Sequence, residues 1–271
     1  MSFSRDVACI IAEYLSEYKL LDWIDKSMVC NDWLSANPNG LDFLLENKVQ
    51  IHIVLLAHNT DPKAVDMFIT SMLPTVEKLC FSYLLSNSTA SEFIIGEVRR
   101  VMKKQEFSDI SSTVKWLINN SLVTFNTIEL YRNPSNELFN LIEPFVSSDE
   151  DLESIAMNPC DAAVNYIFNN LDRIKPEYLS ANCNPKVLKY VIENNLVNFQ
   201  YLSRNSLPQA IELLTTNPDR IDWNQLIFNP GAIELLKTHK TISEMLPWIT
   251  VNPAIFELKS DQKIIDILIK M

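Results

Sequence analysis

The strongest constraint on this chain is a short phrase, Leu-x-x-Asn, that returns along most of its length. The asparagines are Asn37, Asn59, Asn87, Asn133, Asn158, Asn182, Asn205, Asn229 and Asn252, each three residues after a Leu or an Ile. Their successive steps are 22, 28, 46, 25, 24, 23, 24 and 23 residues. With the long step counted as two units, through a degenerate copy at Phe107-Ser108-Asp109-Ile110, the period is ~24 residues. A sustained period of this size marks a repeat architecture, in which no unit buries its apolar face alone and each must stack on its neighbours.

Each unit reads as a short helix, the asparagine, a longer helix and a turn. Asn is a strong N-cap, and Pro is at home in the first helical position because its missing N–H costs nothing there. Asn37-Pro38, Asn133-Pro134, Asn158-Pro159, Asn229-Pro230 and Asn252-Pro253 carry that pair. Apolar faces follow: Val187, Leu188, Val191 and Ile192 in one unit; Ala210, Ile211, Leu213 and Leu214 in the next; Ala232, Ile233, Leu235 and Leu236 in a third. Asn47, Asn119-Asn120, Asn169-Asn170, Asn194-Asn195 and Asn217 then mark helix ends, where Asn tolerates the left-handed conformation. Before the array, residues 4–25 have an apolar stripe of Val7, Ile10, Ile11, Tyr14, Leu15 and Tyr18 and read as helix. The run Ser147–Glu153 reads as a polar turn within the array.

Composition narrows the function. The three glycines, Gly40, Gly96 and Gly231, lie far apart, which argues against a phosphate-cradling loop. A net charge of −11 lacks the basic footprint of nucleic-acid binding and disfavours anionic membranes. No apolar run reaches the ~18 residues of a membrane span, and the opening Met1–Asp6 lacks the layout of a signal peptide. The cysteines Cys9, Cys30, Cys80, Cys160 and Cys183 are scattered and read as reduced core thiols.

Sites of chemistry are sparse. His52, His58 and His239 fit no metal spacing, and the carboxylates Asp149, Glu150, Asp151 and Glu153 read as solvated. No catalytic residue, metal site or cofactor is expected. Arg99, Arg100, Lys103 and Lys104 form the one concentrated basic patch and are the candidate partner contact; 99/103 and 100/104 share a helix side. The aromatics Trp33, Tyr83, Tyr178, Tyr201 and Trp248 precede the motif Leu or Ile and read as packing between repeats rather than a peptide-binding stripe.

The segment Asn217-Pro218-Asp219-Arg220-Ile221-Asp222-Trp223-Asn224-Gln225-Leu226, followed by Asn229-Pro230-Gly231-Ala232-Ile233-Glu234-Leu235-Leu236, resembles the Asn-Pro-type, ankyrin-like repeats of giant nucleocytoplasmic DNA viruses. Lys19–Asp25 resembles the usual entry into such arrays. The resemblance covers roughly 178–258 and 20–47 and decays over 60–130. It implies a virus-encoded helical repeat protein and carries over no functional residue. Val7–Leu21 is more weakly similar to F-box helices, which dock ubiquitin-ligase adaptors, but lacks their Leu-Pro opening.

The expectation is an all-α chain: an α-solenoid of about ten helix-turn-helix repeats. Residues 1–30 would form an N-terminal capping helical segment, 31–258 the array, and 259–271 a C-terminal capping helix. The expected role is a non-enzymatic protein-protein interaction scaffold of a large DNA virus, such as a minor capsid-associated virion component. The alternatives are an intracellular adaptor for a host protein, ankyrin-like or less readily F-box-like, and an enzyme, which no motif supports. Partners are then viral or host proteins, without nucleic acid or membrane insertion, in the host cytoplasm or the virion and not secreted.

Overall fold

A Leu three residues before an Asn closes one helical turn, and this is what every copy of the phrase does. In all nine, the asparagine N–H donates to the carbonyl of the Leu or Ile before it, from Asn37 to Leu34 at 3.0 Å through Asn252 to Ile249 at 2.8 Å. The computed structural model describes residues 18–72, 81–104, 127–239 and 247–258 and is mostly helical.

In most units a short helix precedes the asparagine and a longer one follows. The helices are α1 (Asn31–Leu34), α2 (Leu41–Glu46), α3 (Ile53–Leu56), α4 (Pro62–Met72), α5 (Phe81–Leu84), α6 (Ser91–Lys104), α7 (Thr127–Arg132) and α8 (Asn136–Ile142). Then come α9 (Asp149–Met157), α10 (Asp161–Asn169), α11 (Pro185–Glu193), α12 (Phe199–Leu202), α13 (Pro208–Thr216), α14 (Trp223–Leu226) and α15 (Ile233–Thr238). In the unit of Asn182 a 3-10 helix, Pro176–Ala181, replaces the short α-helix. The expected apolar faces are the buried ones: Val187, Leu188 and Val191 on α11, Ala210 and Leu214 on α13, Leu236 on α15.

The asparagine side chains link these units. All nine are buried. In each, both amide protons donate to carbonyls of the preceding unit: that unit's own asparagine and the residue two before it. Asn205 bonds Ser180 and Asn182 at 3.0 and 2.8 Å, and Asn229 bonds Ser203 and Asn205 at 2.9 and 2.9 Å. The side-chain oxygen accepts the N–H two residues on, as from Leu207 to Asn205 at 3.0 Å. Only an amide of this reach supplies two donors and an acceptor at once. Burial without those partners costs about 1–3 kcal/mol per group.

This ladder closes on itself. Asn252 donates to Ile227 and Asn229 like any other rung. Asn37, the first in sequence, donates to Thr250 at 2.8 Å and Asn252 at 2.9 Å. A second set of bonds closes at the same place. Hydroxyls two residues before an asparagine accept an N–H from the next unit: Ser35 from His52, Ser180 from Asn198, Ser203 from Asp222, and Thr250 from Cys30. The seam also carries an antiparallel strand pair, β1 (Tyr18–Leu20) with β2 (Phe256–Leu258), in which Lys19 faces Glu257 and bridges it at 2.8 Å. The buried core is shared across the seam: Leu20, Ile24, Leu34 and Leu44 pack in one cluster with Leu202, Leu226, Ile249 and Phe256. A second cluster runs from Leu41 to Val191.

Several expectations are corrected. The helical character holds; among the described residues the ladder has nine rungs, and neither Asn37 nor Asn252 ends it, because Asn37 bonds back to Thr250 and Asn252. Asn133 bonds Leu85 and Asn87 directly, at 3.0 and 3.0 Å, so the rungs of Asn87 and Asn133 are adjacent in the ladder. The Phe107–Ile110 copy lies outside the described residues, as do Asn119-Asn120, residues 1–17 and the tail 259–271. Tyr18–Leu20, read as helix, is strand because its edge meets β2. Ser147–Glu153, read as a turn, contains the start of α9: Ser148 and Asp151 form a reciprocal capping box, with Asp151 almost fully buried. The asparagines at helix ends work differently from expectation. Of those described, Asn195 alone is left-handed. Asn47, Asn170, Asn194 and Asn217 instead donate their side-chain amide to the carbonyl four residues back, at 2.7, 2.8, 2.9 and 2.9 Å. Each side chain thereby adds a bond to a carbonyl of the last turn, and at Phe43 and Tyr190 that carbonyl also accepts the backbone N–H of the same asparagine.

Candidate functional site

Two residues of the basic patch, Arg99 and Arg100, carry ion pairs. Arg99 and Arg100 are exposed on α6, but Arg99 bridges Glu137 of α8 at 2.7 Å, and Arg100 bridges Glu97, three residues earlier, at 2.7 Å. Lys103 lies exposed on the same helix, which Lys104 ends. The two arginines thus serve a link between units and a pair along one helix. Exposed pairs of this kind contribute about 0–1 kcal/mol.

The histidines do not converge. His52 caps α3 by accepting the Leu55 N–H on Nδ1 at 3.3 Å. His58 lies exposed beside Tyr83, ring centroids 6.3 Å apart, and partial desolvation lowers its pKa. His239 stacks on Trp223 at 3.8 Å. Among the described residues no group of three or more His, Cys, Asp and Glu side chains is placed to hold a metal ion. Asp151 is engaged by the N–H groups of Ser147 and Ser148, both at 3.0 Å.

The aromatics before the motif do pack from unit to unit. Tyr178 meets Tyr201 edge to face at 4.9 Å, and Trp33 meets Trp248 at 5.2 Å across the seam. Trp248 nevertheless remains half-exposed. Burial and the neighbouring Glu153 carboxylate push the Tyr178 phenol up to about 12.

A polar groove of about 640 Å³ lies between α8 and α10, which sequence reasoning did not single out. Helical spacing builds it. Asn136 and Asn140 are four apart on α8, with Glu143 just beyond; Asp161, Asn165 and Asn169 are four apart on α10. The register between the two helices is pinned where the Ala162 N–H donates to the Asn136 side-chain oxygen at 2.8 Å. Tyr166 forms the floor, half-buried and packed T-shaped against Phe139. Its hydroxyl accepts from Arg173 at 3.4 Å. The side chains of Asn140, Asn165 and Asn169 are exposed. Asp161 has a long, exposed ion pair with Lys186 at 4.0 Å. The recurrent i, i+4 asparagines on adjacent helices were the available signal.

No protein-family model, curated protein or solved structure matches this chain. Among the described residues no helix is long and apolar enough to cross a membrane.

Proposed function

We propose that this chain is a non-enzymatic protein-binding scaffold. One observation carries the reading: the units share a frame and differ on their surface. Inward positions repeat their chemistry, with Leu138 and Phe139, Ala163 and Val164, and Val187 and Leu188 buried at equivalent places after the asparagine. The exposed ridge of the same helices changes from unit to unit: Asn136 and Asn140; Asp161, Asn165 and Asn169; Pro185, Lys189 and Glu193; Pro208, Glu212 and Thr216. Repeat frames with variable outer ridges suit recognition of other macromolecules over an extended surface.

The resemblance to repeat proteins of giant DNA viruses favours a viral partner, with the chain as a minor capsid-associated component. Quantitative mass spectrometry of purified particles tests this directly. The reading expects the chain in the particle at a fixed ratio to a structural protein. Its absence from particles would exclude the virion role. In-cell cross-linking that links the full chain to no viral or host protein would exclude the scaffold role as a whole.

A further inference from the structure

We infer that the groove between α8 and α10 binds an extended, basic peptide segment, with asparagine amides reading its backbone. A side-chain amide offers one acceptor and one donor in a plane, the complement of a peptide group's N–H and C=O. Residues four apart on a helix rise about 6 Å. Alternate residues of an extended chain repeat every 6.6 Å or about that. A strand lying along α10 therefore meets Asn165 and Asn169 with successive outward-facing peptide groups, while Asn140 reaches in from α8. From Asp161 to Asn169 the stripe spans about 12 Å, which four extended residues cover.

The charge bracket selects the side chains. Asp161 flanks one end, beside the pinned Asn136–Ala162 register. Glu143 flanks the other, after the end of α8. Facing cations are Lys186, 4.0 Å from Asp161 and largely exposed, and Arg173, held at the Tyr166 hydroxyl. Against a net charge of −11, a peptide with a lysine at each end is drawn in and an acidic one is repelled. Tyr166 packs T-shaped against Phe139 and is half-buried.

The inference rests on the scaffold reading but is tested apart from it, by titrating the full chain with Ac-Lys-Ala-Ala-Ala-Lys-NH2 and following asparagine side-chain amide signals by NMR. Saturable shifts at Asn140, Asn165 and Asn169 are expected. Binding should weaken about tenfold or more in Asn165→Ala/Asn169→Ala and separately in Asn140→Ala, all exposed positions. Glu143→Gln should narrow the margin over Ac-Glu-Ala-Ala-Ala-Glu-NH2. The inference is overturned if the lysine peptide shifts none of these signals. It is equally overturned if binding survives both asparagine variants, if the glutamate peptide binds as well, or if maltotriose saturates the groove and the peptides do not. Failure here with partner cross-linking intact would leave the scaffold reading standing and place its contact on another face.

Discussion

The side-chain amide of Asn37 donates to the backbone carbonyl of Asn252 at 2.9 Å, across 215 residues of sequence. It is the same bond that joins every other pair of successive units, made here without a covalent neighbour. The closing rung should therefore be as costly to remove as an internal one. Asn205→Ala deletes three side-chain bonds and strands the carbonyls of Ser180 and Asn182. The expected loss is about 3–5 kcal/mol, against about 1 kcal/mol for a helix cap alone. Asn37→Ala should fall in the same range in urea denaturation. A cost near the cap value at Asn37, with a large one at Asn205, would mean that the seam contributes little.

The hydroxyl set makes a separate prediction. Ser203 Oγ accepts the Asp222 N–H at 3.1 Å and itself donates to the Phe199 carbonyl at 2.7 Å. Ser203→Ala leaves a half-buried N–H without its partner and should cost about 1–3 kcal/mol. Ser203→Thr, which keeps the oxygen as Thr250 does at the seam, should recover part of that loss. Equal stability of the alanine variant and the parent would count against the hydroxyl as a joint.

Ser154 offers the opposite test. It is buried on α9, and its hydroxyl has no hydrogen-bond partner among the described residues. Ser154→Ala removes a desolvated polar group with almost no change of volume. It should leave the protein unchanged or raise its stability by about 1 kcal/mol. A clear drop in melting temperature would show that the hydroxyl is engaged.

A pH dependence follows from His58. Partial desolvation lowers its folded-state pKa, with a partial opposing contribution from the Glu129 carboxylate. As pH falls through about 6.5, the unfolded chain takes up the proton first. The stability held by neutral His58 is complete above that pH and is lost progressively below it, levelling off once the folded state also protonates. His58→Gln should flatten this part of the stability profile. An unchanged slope in the variant would remove His58 as its source.

Much of the frame was legible because its signals are local. Leu34 to Asn37 closes a turn within four residues, and the apolar stripes of α11 and α13 follow helical spacing. The ring was not legible, because periodicity specifies that units repeat and says nothing about the last meeting the first. Asn37 finds its acceptors at Thr250 and Asn252, and no spacing rule reaches that far. The capping role assigned to the motif asparagines was half of their chemistry: the oxygen does accept a local N–H, but the two donors serve the neighbouring unit. The acidic run 149–153 looked solvated, although the Ser148-x-x-Asp151 spacing is that of a capping box. For the basic patch, Glu97 lay in view three residues from Arg100, whereas Glu137 reaches Arg99 only through the fold. The groove combines asparagines from two helices whose register depends on the Asn136–Ala162 bond, so neither stripe alone announced it.

Closure of the ring is the central claim, and one cross-link tests it most directly. Lys19 and Glu257 face each other across β1 and β2. Lys19→Cys/Glu257→Cys, in a background where the native cysteines are replaced by serine or alanine, should form an intramolecular disulfide on mild oxidation. The product should run as a monomer of altered mobility on a non-reducing gel, at a yield independent of protein concentration. Absence of the cross-link, or formation only of dimers whose yield rises with concentration, would contradict the closed ring.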